Sequence, residues 1–371
     1  MKIAFLNLKP LSHKGGAEKW IGIVCNLLRE QGDEVVVLVP SDRAWESDIS
    51  GCKHIFYKSR IHTLFEKLGF LNLFPPFLNV TLPDDIDVIY VPTVHPLLLF
   101  RSVVKQKKKL LIGTHDLFIP NRTIGIDIYQ KISLMGINFL ARKGIVIIHS
   151  LNPMTTKAFE GSMAKVVEVG NEFLSGNFLN NRNVTGEELD AETNRPFRVL
   201  FIGNIEPRKG SKLMLPILDS FKSMYDILFI FAGKVLDKRL INDLNHIPIN
   251  AVFKGTISEE EKSLLLSVSD VFLFLSDREA SPIVIEEAFS YGLPIVSTWE
   301  GVKQLKSSKL AVFSVPERTV NGVKKSILDF YTLWRKDRAK FYADKNVRSS
   351  IYDNHFVRSE FEERITSMFR D

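Results

Sequence analysis

Four short segments carry residue types whose spacing suits chemistry on a charged ligand rich in hydroxyls. The most specific runs Asp277-Arg278-Glu279-Ala280-Ser281-Pro282-Ile283-Val284-Ile285-Glu286-Glu287-Ala288. An apolar strand pattern precedes it and a helical one starts at Ile283, so Glu279 falls in a loop and Glu287 on the helix eight residues later. Both can look into one cleft, where two acceptor carboxylates suit the donor hydroxyls of a sugar. Glu286 should project from another helix face. The alternative for both glutamates is a solvated helix start that complements the dipole.

The second segment, Phe201-Ile202-Gly203-Asn204-Ile205-Glu206-Pro207-Arg208-Lys209-Gly210, passes from a strand through a turn into a helix. Arg208 and Lys209 at a helix start oppose the macrodipole, and a diphosphate held between them and the helix amides would relieve that conflict. A solvated basic turn is the alternative. In the third, Gly15-Gly16-Ala17-Glu18 joins the first strand to the first helix and offers free amides to a phosphate or carbonyl oxygen, or else forms a plain turn. It is neither a G-x-G-x-x-G fingerprint nor a Walker loop, which disfavours a dehydrogenase or an ordinary triphosphate site. The fourth, Gly113-Thr114-His115-Asp116, sets one histidine at a strand end, where a structural role is the alternative. Asp84-Asp85-Ile86-Asp87 lacks partner ligands nearby and reads as a solvated turn; no metal site is expected.

The elements that must position these segments follow from continuous apolar runs. Ile3 to Leu8, Glu34 to Val39, Asp87 to Val91, Leu110 to Thr114 and Ile145 to Ile148 read as buried parallel strands. Trp20, Ile21, Val24, Leu27 and Leu28 repeat at helical spacing between the first two, and Gly32 supplies a stop. After a polar stretch from Asn180 to Pro196, a candidate linker, a second series begins. Its strands are Phe197 to Gly203, Ile227 to Ala232, Ala251 to Phe253, Val271 to Leu275, Pro294 to Ser297 and Ala311 to Val315. Helices are expected at Gly210 to Tyr225, Ser258 to Val268 and Ile283 to Tyr291, the second opened by a Ser258/Glu261 capping box. Such halves place ligands at the carboxyl ends of their strands. The fold class is therefore α/β, two doubly wound Rossmann-like domains facing across a cleft, over residues 1–185 and 186–345, with a C-terminal helix at about 346–371 joining the first.

Composition sets the outer bounds. Of 371 residues, 45% are hydrophobic and 25% charged, so the chain is neither disordered nor of low complexity. A net charge of +6 does not by itself suggest nucleic acid. Cys25 and Cys52 cannot build a disulfide framework or a four-thiolate zinc site, and a reducing cytoplasm is the default. No signal peptide is expected, because the first apolar run, Met1 to Leu8, is short and broken by Asn7, and no membrane span, because the most apolar window, Ile61 to Val80, holds charges and two prolines.

In this order the segments resemble the retaining glycosyltransferases of the GT-B fold, the large family four also called glycosyl transferases group 1. The carriers are Gly15 to Glu18, His115, Glu206 to Gly210, and Glu279 to Glu287 continuing through Tyr291-Gly292-Leu293-Pro294 to Ser297. The resemblance implies an enzyme that moves a sugar from a UDP- or GDP-sugar to a glycan or lipid-linked acceptor, with retention and without a metal, in polysaccharide or glycoconjugate biosynthesis. It implies a tightly bound cofactor nowhere, the nucleotide sugar being a co-substrate on the second domain. By that likeness Glu287 would bind the ribose, Glu279 a donor-sugar hydroxyl, and Lys209 with Arg208 the diphosphate. Gly15 and Gly16 would approach phosphate and sugar, His115 the transferred sugar, Phe253 and Gly255 the base, and Ser281, Ile283 and Val284 the phosphate at the helix start. Asn204 replaces an arginine frequent in the family, Pro282 replaces a glycine, and Gly170-Asn171-Glu172 stands for Pro-Asn-Gly.

Those departures keep two other readings in view: a nucleotide-sugar 2-epimerase of the same architecture, and a non-catalytic nucleotide-sugar-binding subunit. Nine basic residues against two acidic lie between Arg101 and Lys143, and Leu64, Phe65, Leu68, Phe70, Leu71, Leu73, Phe74 and Phe77 are apolar. Together they would seat the first domain on an anionic membrane, peripheral at its inner face, unless the aromatics are core and the lysines flank strands.

Overall fold

The structure, a computed structural model, describes residues 1–6, 16–40, 52–57, 83–92, 108–115, 134–174, 195–243 and 248–370. Two compact units form: Met1–Gly170 with Ser359–Asp371, and Asn171–Arg358. The candidate linker over 180–196 and the basic and aromatic stretches considered for membrane contact lie largely outside the described residues.

In the first unit, β1 (Lys2–Leu6), β2 (Glu34–Pro40), β3 (Lys53–Tyr57), β4 (Val88–Val91), β5 (Lys109–Gly113), β6 (Val146–Ser150) and β7 (Lys165–Glu168) make one sheet ordered β3-β2-β1-β4-β5-β6-β7. Every pairing is parallel, with Ile3 opposite both Val35 and Val88. β4 and β6 are buried at each position, which is why they read as unbroken apolar runs rather than alternating ones. β3 and β7 escape that signal because each is a sheet edge begun by a lysine, and β7 is only partly covered. Helix α1 (Gly16–Glu30) buries the expected stripe of Trp20, Ile21, Val24, Leu27 and Leu28. The Asp84–Asp87 turn faces Lys2, whose Nζ meets Asp85 at 2.6 Å and whose backbone N–H donates to Asp87 at 2.8 Å.

The second unit repeats the plan. Strands β8 (Phe197–Ile202), β9 (Ile227–Ala232), β10 (Ala251–Gly255), β11 (Val271–Phe274), β12 (Ile295–Ser297) and β13 (Phe313–Ser314) are parallel in the order β10-β9-β8-β11-β12-β13. Phe197, Phe201, Phe221, Phe229, Phe231 and Trp334 pack together without exposure. Truncating one such phenylalanine to alanine costs about 3–5 kcal/mol. A buried bidentate pair, Arg195 to Asp270 at 2.7 and 2.8 Å, ties the entry of β8 to that of β11, and Asp270 also accepts from the Arg198 N–H. Removing one partner would strand the other charge.

The intervening helices include α2 (Pro153–Ala158) in the first unit and α3 (Ser211–Ser220), α4 (Lys238–Asp243), α5 (Glu259–Val268), α6 (Ile283–Ser290), α7 (Val320–Lys336) and α8 (Arg338–His355) in the second. The cap of α5 is one-sided: Ser258 accepts from the Glu261 N–H at 3.1 Å, while Glu261 Oε1 accepts from Lys254 instead of closing the box. The closing segment, read as one helix, is two. α8 ends at His355, Phe356 and Val357 break it, and α9 (Arg358–Arg370) follows. α9 covers the first unit with Phe361, Ile365, Met368 and Phe369, the last ring lying 5.7 Å from Phe5 and 5.9 Å from Tyr90.

Candidate functional site

In each sheet the strand order reverses between its first and fourth strands, β1/β4 and β8/β11, and in the second unit the segments leaving those strands hold the polar residues. In the second unit, the turn after β8 and the loop after β11 are neighbours because their strands pair directly. Arg208 accepts the Asp277 N–H at its carbonyl and donates through Nη1 to the Arg278 carbonyl, so the two loops are tied at both ends.

Arg208, Lys209 and Glu279 meet there. Arg208 Nη1 lies 2.9 Å, and Lys209 Nζ 2.5 Å, from the same oxygen, Oε1 of Glu279. Arg208 also reaches Glu206 at 3.1 Å. The glutamate is nearly enclosed, whereas the Arg208 side chain is 44% exposed, so the buried acid is the anchor and the arginine the group able to turn to a ligand. Lys209 is held further by the face of Phe274, 5.6 Å from its ammonium. Gly210 permits the tight exit: its φ is +85°, and a Cβ there would stand 2.4 Å from Leu275 backbone oxygen. Any other residue would push the cationic turn off β11.

Glu287 lies on α6, the helix leaving β11, and Lys262 on α5, the helix entering it. Lys262 Nζ bridges Glu287 at 2.7 Å and Glu259 at 2.6 Å. Burial pulls the lysine pKa down, but the Glu287 and Glu259 carboxylates outweigh it and hold the ammonium above its ordinary range. Sequence reading missed Lys262, since no motif spacing joins it to Glu287; only the α5-β11-α6 succession brings them together. Ser281 gives its carbonyl to Asn171 Nδ2 at 2.8 Å, which ties the asparagine of Gly170-Asn171-Glu172 to the α6 entry. Ile283 and Val284 open α6, and Pro282 serves as its cap residue with no side-chain bond. On β10, the Phe253 ring stacks on Phe231 at 4.7 Å, and the Gly255 carbonyl accepts from the Gly233 N–H.

Glu286 does turn another way, into a closed pocket. Its Oε2 lies 2.9 Å from the Tyr352 hydroxyl, which also lies 2.8 Å from the Glu172 carbonyl. Burial first, and then the Glu172 charge, raise the Glu286 carboxyl to about 8, against the pull of Ser307 and Tyr352. The Tyr352 hydroxyl is the donor placed between these two acceptors.

In the first unit His115 follows β5 and packs in an aromatic cluster rather than among charges. Its ring centroid is 5.0 Å from Trp20 and 5.8 Å from His149 of β6. Tyr90 of β4 joins both histidines, 2.9 Å from His115 Nε2 and 2.7 Å from His149 Nδ1. Burial raises the Tyr90 phenol well above its ordinary pKa and takes His149 down to about 4. Burial and the neighbouring His149 hold His115 well below its usual value. Gly16 begins α1, while Gly15 lies outside the described residues. Among the described residues no group of three or more His, Cys, Asp or Glu could hold a metal, and no helix is long and apolar enough to cross a membrane.

Solved structures share this two-unit architecture. Anabaena HepE in complex with UDP and glucose matches over 99% of this chain and 98% of its own, with a TM-score of 0.67 and 16% identity. WaaG, a glycosyltransferase involved in lipopolysaccharide biosynthesis, matches over 100% of both chains at 0.62 and 15%. The chain thus has the GT-B fold, two parallel-sheet Rossmann-like units. Residues 187–342, which include Arg208, Lys209, Glu279 and Glu287, match the family model of glycosyl transferases group 1. Curated relatives include the sulfoquinovosyl transferase SQD2 of Arabidopsis thaliana, 23% identical over 80% of this chain and 59% of its own length. The phosphatidylinositol N-acetylglucosaminyltransferase GPI3 subunit of Saccharomyces cerevisiae is 21% identical over 81% and 68%. The chain therefore spans under two thirds of the plant relative it matches.

Proposed function

We propose that the protein is a metal-independent, retaining glycosyltransferase that moves a sugar from a nucleotide-diphosphate sugar to a glycan or glycolipid acceptor. The observation that carries this reading is the convergence of Arg208 and Lys209 on buried Glu279, with the Lys262-held Glu287 on the helix that follows the same loop. UDP in the HepE complex supports a UDP-sugar as donor, and the yeast relative, named for phosphatidylinositol, supports a lipid acceptor. Docking at the inner face of an anionic membrane would suit that acceptor.

As the glycosidic bond breaks, negative charge gathers on the leaving diphosphate and positive charge on the sugar. Arg208, Lys209 and the first amides of α6 stabilise the phosphate, while Glu287 holds the ribose. Glu279 is a poor nucleophile, because one of its oxygens already accepts from two cations. It serves as their anchor and as a hydroxyl acceptor, and the leaving phosphate takes the acceptor proton on the same face of the sugar.

Thermal unfolding with UDP, GDP, ADP, CMP and dTDP, their sugar conjugates and EDTA tests the donor site. One diphosphate should stabilise selectively and survive EDTA; at a hundred times its Kd the gain is about 2.7 kcal/mol. Absence of any shift, together with no turnover on common sugar nucleotides, sinks the reading.

A further inference from the structure

We infer that Tyr90 and His149 are positioning residues: they fix His115 as its Nε2–H tautomer and present Nδ1 as an acceptor for a hydroxyl of the transferred sugar. The inference rests on the reading above, in which His115 meets that sugar.

The proton count along the chain of contacts decides the tautomer. His149 Nε2 lies 2.9 Å from the Val169 carbonyl, an acceptor only, so Nε2 carries the proton. A neutral His149 then has a bare Nδ1, and it takes the single Tyr90 proton across 2.7 Å. The Tyr90 oxygen is left to accept, and the group 2.9 Å away on its other side, His115 Nε2, must donate. Neutrality of both rings follows from their setting. Trp20, Tyr90 and the other histidine surround each, and among the described residues no carboxylate is bonded to either ring.

The backbone is locked to match. The His115 N–H donates to the Pro92 carbonyl and the Thr114 N–H to the His149 carbonyl, so β4, β5 and β6 hold all three side chains in register. Gly113 leaves the space: a Cβ there would stand 2.3 Å from the Tyr90 hydroxyl and 2.9 Å from His115 Cδ2. Among the described residues, His115 Nδ1 has no hydrogen-bond partner. Its lone pair suits a sugar hydroxyl, and a neutral acceptor does not repel a sugar that gains positive charge, as an imidazolium would.

Long-range proton–nitrogen NMR on the full chain with labelled histidine reads the tautomer directly. His115 should show a protonated Nε2 and a bare Nδ1 at pH 7. Tyr90→Phe should mix its tautomers and lower kcat about tenfold with donor KM within about twofold. His149→Asn, which returns an acceptor near the Nδ1 position, should recover more of kcat than His149→Leu. Wild-type His115 protonated at Nδ1, or at both nitrogens, overturns the inference without any variant. So does a folded Tyr90→Phe that keeps tautomer and kcat. Full turnover in His115→Ala removes the sugar contact itself and the reading beneath it. A wrong tautomer with an impaired His115→Ala overturns the relay alone.

Discussion

The two units share a strand order around their central strands but gather opposite chemistry on them. After β8 and β11 stand Arg208, Lys209 and Glu279, joined by ion pairs; on β4, after β5 and on β6 stand Tyr90, His115 and His149, joined by neutral hydrogen bonds among aromatic rings. Ionic contacts on a half-exposed arginine can be exchanged for a phosphate at little cost, since both partners are charged and water is near. The neutral relay has no such freedom, because Tyr90 and His149 are buried and each proton has one place to go. On the proposed function, the first arrangement suits a ligand that brings two negative charges and the second a ligand that brings hydroxyls.

The comparison breaks most visibly at Lys209. Lys209→Ala removes a nearly buried cation from Glu279 and, on the proposed mechanism, from the leaving diphosphate. Losing one such stabilising donor typically costs a factor of about 10²–10³ in kcat. Steady-state kinetics should show that drop, with Lys209→Arg partly restored; kcat within about threefold of wild type would detach the ion cluster from the chemistry.

Glu287→Ala should act on binding before rate. Loss of a hydrogen-bonded carboxylate partner to the ribose is worth about 1.5–3 kcal/mol, so donor affinity by calorimetry should fall roughly ten- to a hundredfold. Lys262→Met probes the same contact from the other side. It frees Glu287 from its 2.7 Å partner, and an affinity loss close to that of Glu287→Ala would show that the lysine sets the carboxylate. Unchanged affinity in both would remove Glu287 from the site.

Legibility from sequence follows the same division. Arg208 and Lys209 announce themselves because cations at a helix start oppose the macrodipole, and Glu279 and Glu287 because their spacing sets both around one helix start; both signals are visible in one dimension. Lys262 looks like any surface lysine of an amphipathic helix until α5 and α6 are set on either side of β11. Tyr90 and His149 are hidden for a different reason: they sit inside apolar runs, Val88–Val91 and Val146–Ser150, that serve equally well as plain buried strands. Only the neighbouring of β4, β5 and β6 reveals them as partners of His115. The α7 stripe of Val323, Ile327, Phe330, Tyr331 and Trp334 was available at helical spacing. The edge strands β3 and β7 were not, being short and charged at their start.

Titration should separate the units with opposite signs. Folding holds His149 at about 4 and His115 well below the ordinary 6.5. The unfolded chain therefore binds more protons below about 6.5, and stability present above that pH is lost as pH falls toward 4. Glu286 runs the other way, since its folded value of about 8 exceeds the ordinary 4.5. The folded state binds the extra proton, so this contribution is full at the acid end and declines as pH rises from 4.5 through 8. Hydrogen exchange on β4 to β6 and on α6 and α8 reads the two separately. Glu286→Gln, which keeps an acceptor toward Tyr352, should flatten the alkaline decline in α6 and α8 and leave β4 to β6 alone. A variant that follows the wild-type curve would mean Glu286 is ionised in the folded state.

The smallest effect comes from the α5 cap. Ser258 accepts from the Glu261 N–H, and Lys262 is the next residue along the first turn. Ser258→Ala leaves that amide to water and costs about 1 kcal/mol, measurable as a lower urea midpoint with an unchanged slope. A frayed first turn also loosens the ammonium that holds Glu287, so donor KM should rise by about twofold while kcat stays put, because the groups on the phosphates are untouched. Ser258→Asp restores the cap and should recover both. A rise in KM without loss of stability would instead place the Ser258 hydroxyl in contact with the donor, and the ionic region would then extend one turn further than its ion pairs reach.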